Sequence, residues 1–197
     1  MKPHPHLAMA ALAAFAATGN AAPQNRPNIL LVITDDQRYD TLSVVQAEQG
    51  EKGRFPWTET PNMDRLAKDG VRFRNAFVVN SVCSPSRASI LTGLYSHYNG
   101  IANNRTPFPE DATTYVKLLL EAGYRTGYFG KWHMGFQSGQ RPGFDFSASF
   151  VGQGHYFDEP FEINGRAVPT KGWVDDVTTD YALEFLREQK ASGCPFA

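Results

Sequence analysis

The sequence predicts an α/β fold, in which helices cover a sheet, because segments of strand character alternate along the chain with segments of helical character. The chain has 197 residues, of which 42% are hydrophobic and 20% are charged. This composition is typical of a globular domain and excludes disordered, collagen-like and coiled-coil proteins. Two cysteines are too few for a disulfide-dense scaffold.

The first predicted elements are a strand, a helix and a second strand. Residues 28–33 form a continuous apolar run of strand length, which is typical of a strand buried on both faces. A helix is predicted over residues 61–68, because Thr60 can cap its start and Gly70 can end it. Residues 71–79 alternate between apolar and polar side chains and predict the next strand.

The second part of the chain continues the alternation. A helix is predicted over about residues 113–121, starting behind Asp111, and a strand over residues 124–129 follows it. A longer helix over about residues 174–189 carries its apolar residues on or near one face. Between them, residues 137–171 are rich in glycine, proline and aromatic residues, which predicts long loops with short strands.

The chain begins with the features of a signal peptide over residues 1–21. Lys2 supplies a positive start, residues 7–17 are apolar, and small residues permit cleavage after Ala21. The apolar run is shorter than the about 20 residues that a membrane-spanning helix needs. We therefore expect an exported protein, periplasmic or secreted, without a membrane span, whose mature part is residues 22–197. A buried N-terminal helix is the alternative.

The charge distribution suggests no nucleic acid or anionic membrane as a partner. The 19 basic and 20 acidic residues nearly balance, and they form no run of like charge. Export permits disulfides, but Cys83 and Cys194 lie far apart in different surroundings, so no bridge between them is expected. Binding must therefore come from a local site.

Adjacent carboxylates mark one candidate site. Asp35 and Asp36 directly follow the first predicted strand, and ligands of open α/β sheets collect at the carboxyl ends of strands. Oxygen ligands favour Ca²⁺ or Mg²⁺ over zinc. A solvated turn or a helix N-cap is the alternative interpretation of the pair.

A second candidate site begins at Cys83. The sequence Cys-Ser-Pro-Ser-Arg starts a predicted helix, with Pro85 in its first turn and Arg87 one turn later. The free N–H groups of a helix start and a nearby cation both favour an anion at the cysteine. Taken by themselves, these residues could form an activated thiolate.

This stretch closely resembles the signature of formylglycine-dependent sulfatases, in which Cys-x-Pro-x-Arg directs oxidation of the cysteine to an aldehyde. A second family motif matches residues 123–133, although Phe129 occupies a position where a smaller residue is usual. Residues 34–37, 60–64 and 95–97 also match the family's order, except that Ser96 replaces a common proline. The resemblance runs from about residue 27 to the end. It implies the alkaline-phosphatase-like sulfatase fold, a mixed sheet with helices on both faces.

The resemblance also implies a sulfuric ester hydrolase whose nucleophile is made from Cys83 by a formylglycine-generating maturation enzyme. A hydrated aldehyde has two hydroxyls, of which one attacks sulfur and the other later expels sulfate by re-forming the aldehyde. Asp35, Asp36 and the modified residue 83 would hold a cation, Ca²⁺ rather than Mg²⁺, that polarises the ester.

Other residues receive roles by the same resemblance. Arg87 would orient the hydrated aldehyde. Lys131 would bind a sulfate oxygen, and His133 would take the proton when sulfate is eliminated. His155 is a candidate substrate contact in a loop rich in glycine and aromatic residues, with a structural role as the alternative. Such a loop suits sugars, so a sulfated glycan is expected as substrate rather than a small aryl sulfate.

Part of the family's site is not found in this sequence. Family members add further metal ligands, a second lysine and a leaving-group histidine from later chain, and the residues after His133 do not supply that set. We therefore expect residues 22–197 to be the N-terminal part of a sulfatase catalytic domain and to be inactive when isolated. Two alternatives remain: a phosphodiesterase or phosphonate hydrolase on the same scaffold, and a non-catalytic glycan-binding protein.

Overall fold

The structure is a computed structural model that describes residues 26–197, so the predicted signal peptide lies outside the described residues. Its helices are α1 Ser43–Gln49, α2 Pro61–Asp69, α3 Cys83–Thr92, α4 Ser96–Asn99, α5 Tyr115–Glu121 and α6 Val174–Ser192. Its strands are β1 Gly127–Lys131, β2 Phe146–Phe150, β3 Phe161–Ile163 and β4 Arg166–Val168. Short 3₁₀ helices occupy Tyr39–Thr41 and Gly50–Lys52.

The four strands form one mixed sheet in the order β1, β2, β3, β4. Strands β1 and β2 are parallel, with Gly127 opposite Phe146 and Lys131 opposite Phe150, whereas β3 and β4 add as antiparallel hairpin strands. Lys131 is therefore the last residue of β1, at the carboxyl end where ligands of such sheets collect.

Helices pack on both faces of this sheet, as the sequence predicts. Successive side chains of a strand point to opposite faces. Accordingly Phe129 packs against Phe185 of α6, with ring centroids 5.5 Å apart, while the neighbouring Tyr128 contacts Arg87 of α3. Each face has its own buried core. The first core contains Ala88, Leu91, Ile101, Phe108, Val116, Trp132, Met134 and Phe144, and the second contains Ala148, Phe150, Phe161 and Val174.

The last residues of the chain lie beside β1. The N–H of Arg125 donates to the carbonyl of Pro195 at 2.8 Å, and the N–H of Gly127 donates to the carbonyl of Ala197 at 2.9 Å. On the other side, the N–H of Ile29 donates to the carbonyl of Phe196 at 2.8 Å. These bonds place the segment that leads to Asp35 near β1, separated from it by residues 195–197.

Two of the predicted strands are wrong for the described chain. Residues 28–33 were expected to be buried on both faces, but Leu30 and Val32 are 68% and 74% exposed and no strand is formed. Residues 71–79 also form no strand, and their apolar side chains are exposed. The physical reason is the same in both cases: an apolar pattern becomes a buried strand only where a neighbouring strand pairs with it. Among residues 26–197, the first segment pairs only around Phe196.

The predicted helices form, with shifted ends. Helix α2 begins at Pro61 and ends before Gly70, but the Thr60 side chain does not cap it and instead accepts a hydrogen bond from the N–H of Ser43 at 2.9 Å. Helix α5 begins later than predicted, because the side chain of Thr114, and not Asp111, caps it.

The remaining predictions on local structure can also be compared with the structure. The strand predicted over residues 124–129 forms a few residues later, as β1. Residues 137–171 contain long loops and the short strands β2 to β4, as expected. Cys83 and Cys194 are both free thiols, as expected. In residues 26–197 we find no helix that combines the length and the apolar character needed to cross a membrane.

Candidate functional site

The site is organised around the start of α3. Cys83 is the first residue of this helix, Pro85 lies in its first turn, and Arg87 follows one turn later. The side chain of Asn104 accepts a hydrogen bond from the N–H of Ser84 at 2.9 Å, which satisfies one of the donors that every helix start leaves free. Cys83 is thus held at a fixed helix terminus.

The ammonium group of Lys131 lies at the centre of the site. Its Nζ atom is 2.8 Å from Asp35 Oδ2, 2.6 Å from Gln153 Oε1 and 3.6 Å from Cys83 Sγ. A lysine ammonium has three N–H donors. Each donor therefore has one acceptor, and the three acceptors come from three separate parts of the chain.

Arg87 connects α3 to β1 and to the first carboxylate. One of its nitrogens lies 3.1 Å from Asp35 Oδ2, and the other donates to the carbonyl of Lys131 at 2.6 Å and to the hydroxyl of Tyr128 at 3.1 Å. The Tyr128 hydroxyl also bonds to that carbonyl. Only 13% of the Arg87 side chain is exposed, so its charge is screened little by water.

Burial and the charges of the site shift the pKa values of Asp35 and Tyr128. Partial burial raises the pKa of Asp35, but the hydrogen bonds and charges of Lys131 and Arg87 outweigh that effect and hold its pKa below the ordinary value. Burial raises the pKa of the Tyr128 phenol, and Arg87 opposes this rise. At neutral pH Asp35 is therefore an anion and Tyr128 a neutral hydrogen-bond donor.

His133 lies two residues beyond Lys131 and is 5% exposed. Its φ angle is +43°, a left-handed conformation that is uncommon for residues other than glycine. Its carbonyl accepts a hydrogen bond from the Ser84 hydroxyl at 2.5 Å, while its buried Nδ1 atom has no partner among the described residues. Burial lowers the pKa of His133, and the charges of Lys131 and Arg87 lower it further. The imidazole is therefore neutral and able to accept a proton.

Two predicted site residues lie farther from this centre. Asp36 and His155 line the same cavity of about 990 Å³ as Asp35 and Lys131. The Nδ1 atom of His155 is 2.7 Å from Glu159 Oε2, and 83% of the His155 side chain is exposed. His155 thus lies at the rim, with its ring held by Glu159. The structure brings Asp35, Cys83, Arg87 and Lys131 into direct contact and leaves Asp36 and His155 along the cavity wall.

The carboxylates fit a cation site only in part. Asp35 and Asp36 offer the oxygen donors that Ca²⁺ prefers, but Ca²⁺ takes about six to eight oxygens. Within residues 26–197 there is no group of three or more His, Cys, Asp or Glu side chains placed to hold a metal ion. The pair can therefore supply some of the ligands of a calcium site, and further oxygens are required.

Sequence reasoning missed several residues of the site. Tyr128 lies inside the second motif, which assigned it no role, and no sequence pattern marked Asn104 as part of the site. Ser84 fills a variable position of the first motif, and its bond to His133 joins residues 49 positions apart. Gln153 had a usable signal, because it lies in the Gly-Gln-Gly-His stretch next to the candidate contact His155.

Comparison with known proteins gives a consistent result. The family model described as Sulfatase matches residues 27–196. An N-acetylglucosamine-6-O-sulfatase of Bacteroides thetaiotaomicron is 38% identical over 100% of this chain and 34% of its own length. Human arylsulfatase G is 32% identical over 81% of this chain and 28% of its own length. The chain therefore spans about a third of the length of these relatives.

Solved structures agree with the sequence matches. One protein, solved in complex with its substrate D-glucosamine-2-N,6-O-disulfate, superposes with a TM-score of 0.76 at 40% identity, covering 87% of this chain and 33% of that one. A second, Ps i-CgsB in complex with k-i-k-neocarrahexaose, also has a TM-score of 0.76, at 32% identity, covering 86% of this chain and 43% of that one.

Proposed function

This chain belongs to the sulfatase family, and we propose that in the full-length protein it forms the nucleophile-bearing part of a sulfuric ester hydrolase. The structural matches confirm the predicted alkaline-phosphatase-like fold. The observation that carries the proposal is the pair of cations near the start of α3: Lys131 and Arg87 both contact Asp35, and the Lys131 ammonium lies 3.6 Å from Cys83 Sγ, where an anionic sulfate ester would need a cation.

The first part of the proposal concerns Cys83. Conversion of its side chain to formylglycine would supply an oxygen nucleophile for sulfur and, by return to the aldehyde, a way to release sulfate. The position suits an anion, because the helix start, Lys131 and Arg87 all favour negative charge there.

The surrounding residues divide the remaining tasks. The Lys131 donor that faces Cys83 Sγ at 3.6 Å is the one that binds a sulfate oxygen beside the modified residue 83, while the other two donors stay on Asp35 and Gln153. Arg87 orients residue 83 and fixes the end of β1 through the carbonyl of Lys131. Neutral His133 accepts the proton that must leave when sulfate is released, because its lowered pKa keeps the ring unprotonated at neutral pH.

The proposal includes a divalent cation, Ca²⁺ in preference to Mg²⁺. Asp35 and Asp36, together with the modified residue 83, would hold it, with further oxygens from the remainder of the full-length protein. When bound, the cation would polarise the sulfate ester and lower the pKa of the nucleophilic hydroxyl. Asp35 fits this role because its carboxylate stays ionised.

The proposed substrate is a sulfated glycan. A bacterial relative is named an N-acetylglucosamine-6-O-sulfatase, and a structural neighbour was solved with a disulfated glucosamine as substrate. In this chain, His155 and Tyr156 line the cavity, the Tyr156 ring stacks on Trp173, and such aromatic surfaces suit sugars. We further propose that residues 1–21 direct export to the periplasm or beyond, with residues 22–197 belonging to the catalytic domain.

Mass analysis of the peptide that contains Cys83 tests the proposal. Full-length protein produced with a formylglycine-generating enzyme should yield this peptide in a form lighter than its thiol form, and it should hydrolyse sulfate esters. Cys83→Ala should abolish turnover, whereas Cys194→Ala, at the exposed second cysteine, should keep it. An unmodified thiol in an active enzyme would contradict the assignment. Matched sulfate and phosphate esters separate a sulfatase from a phosphodiesterase or phosphonate hydrolase.

Calorimetric titration with Ca²⁺ tests the metal ligands. The 197-residue chain should bind Ca²⁺ poorly, because among residues 26–197 no third His, Cys, Asp or Glu side chain joins Asp35 and Asp36, and the ion takes about six to eight oxygens. In the full-length protein, Asp36→Asn should weaken Ca²⁺ binding and reduce the rate by more than about tenfold. Asp69→Asn, on α2 and outside the cavity, is the matched control. If Asp36→Asn binds and turns over like the wild type, Asp36 is not a ligand.

A further inference from the structure

One phenol hydroxyl joins the two cations of the site. Tyr128 lies on β1, three residues before Lys131, and its hydroxyl oxygen lies 3.1 Å from Nη1 of Arg87. The same hydroxyl bonds to the backbone carbonyl of Lys131, to which Nη1 of Arg87 also donates at 2.6 Å. The guanidinium, the phenol and the carbonyl therefore form a closed ring of hydrogen bonds between α3 and the end of β1.

The chemistry of the three groups determines the direction of each bond. A carbonyl only accepts and a guanidinium only donates, so the hydroxyl must donate to Lys131 and accept from Arg87. Nη1 of Arg87 carries two N–H groups and has one acceptor for each, while Nη2 faces Asp35 at 3.1 Å. Burial raises the pKa of the Tyr128 phenol, so the hydroxyl keeps its proton at neutral pH. A neutral hydroxyl can therefore serve both neighbours at once.

Packing determines where this hydroxyl lies. The Tyr128 ring meets the rings of Trp132 and Phe144 edge-on, with 5.1 Å between centroids in each pair. Aromatic side chains favour such edge-to-face contacts. The ring is also partly buried against the first core. These contacts hold the hydroxyl beside Arg87 and thereby decide where Nη1 finds its second acceptor.

We propose that Tyr128 is a positioning residue for sulfate ester hydrolysis, whose hydroxyl holds the Arg87 guanidinium in a fixed orientation relative to the backbone of Lys131. This inference rests on the proposed function, in which Arg87 orients residue 83 and Lys131 binds a sulfate oxygen. It extends that function to a residue to which the second motif assigns no role. An arginine side chain has much rotational freedom, and each acceptor that binds the guanidinium removes part of it. Because the hydroxyl is neutral, it fixes the cation without cancelling its charge.

The test is Tyr128→Phe in the full-length enzyme, which removes the hydroxyl and keeps the ring that packs on Trp132. Tyr181→Phe is the matched control, because it removes a phenol hydroxyl from a ring on α6 that is partly buried against the second core and lies outside the cavity. The measurements are kcat and KM on 6-O-sulfated N-acetylglucosamine, calorimetric binding of inorganic sulfate, and the melting temperature. Rates are measured well below the melting temperature and are expressed per formylglycine, with the formylglycine content determined by mass.

A positioning role predicts that kcat and KM respond differently. Tyr128→Phe should lower kcat by about tenfold, the rate equivalent of one hydrogen bond to a charged group. KM and sulfate binding should stay close to the wild-type values, because the Lys131 donor that faces Cys83 is untouched and the Lys131 carbonyl keeps its bond from Arg87. Tyr181→Phe should keep both kinetic constants.

Several outcomes would overturn the inference. An unchanged kcat per formylglycine in Tyr128→Phe would show that the hydroxyl serves stability alone, even if the melting temperature falls. A raised KM with an unchanged kcat would assign the hydroxyl to substrate binding instead, and a variant that does not fold would assign it a structural role. Absence of sulfate ester hydrolysis by the wild type would contradict the proposed function itself, and the inference that rests on it would fail as well.

Discussion

The hydroxyl of Ser84 is predicted to support both stability and catalysis, and Ser84→Ala isolates its contribution. The hydroxyl donates to the carbonyl of His133 at 2.5 Å, and both residues are buried, Ser84 completely. The bond joins the start of α3 to the segment after β1. It also holds the residue whose φ angle of +43° is unfavourable for a side chain larger than glycine's.

The expected magnitude follows from these contacts. Removing the hydroxyl leaves a buried carbonyl without its donor, which costs about 1–3 kcal/mol. A residue in the left-handed region costs about 1–2 kcal/mol relative to the right-handed one, so without its restraint His133 is free to relax. We therefore expect Ser84→Ala to lower the free energy of unfolding by about 2 kcal/mol. We also expect it to lower kcat, because the backbone of His133 is then free to shift together with the imidazole that we propose as the proton acceptor.

The assay is guanidinium denaturation of the full-length protein combined with steady-state kinetics, with formylglycine content measured by mass so that incomplete maturation is not mistaken for lost catalysis. Ser86→Ala is the matched control: Ser86 lies on the same helix, and its side chain makes no hydrogen bond in the described part of the chain. Its unfolding free energy should change by less than about 0.5 kcal/mol. Equal stability and equal kcat for the two variants would refute the reasoning.

Three further predictions concern residues around the site. The Arg141 side chain is fully buried, and its guanidinium lies 2.7 Å from the Glu162 carboxylate. Arg141→Met should lower the free energy of unfolding by about 3–5 kcal/mol, because it leaves that carboxylate without its partner. Denaturation of the double variant with Glu162→Gln should show that part of this loss is recovered, and no recovery would argue against the pair. The pKa of His133 lies below its ordinary value of 6.5, so the unfolded state binds more protons just below that pH. The free energy of unfolding should therefore fall as the pH drops below about 6.5, and it should fall less in His133→Gln than in the wild type. Parallel curves of unfolding free energy against pH for the two proteins would contradict this. Gly154→Ala should destabilise the loop by more than about 1 kcal/mol, because its φ angle is +73° and the new methyl would meet Phe150; an unchanged melting temperature would show that the ring moves aside.

Much of the candidate site could be predicted from sequence because its signals are local. The start of α3 follows from the residues around Cys83 and Pro85, and the short spacing between Lys131 and His133 places them together after one strand. The family motifs supplied the roles of these residues. The helices were predicted because caps and apolar periodicity act within a few residues, although Thr114 rather than Asp111 starts α5.

The sequence by itself determined the family, the helix that presents Cys83 and the set of charged residues, because motifs and helix signals lie within short windows of the chain. Only the tertiary structure decided which strands formed and which side chains met. Residues 28–33 and 71–79 have the pattern of strands and form none, since pairing requires an edge from elsewhere in the chain. The contacts of Lys131 with Gln153 and of Ser84 with His133 join residues 22 and 49 positions apart, and no local pattern encodes such a distance.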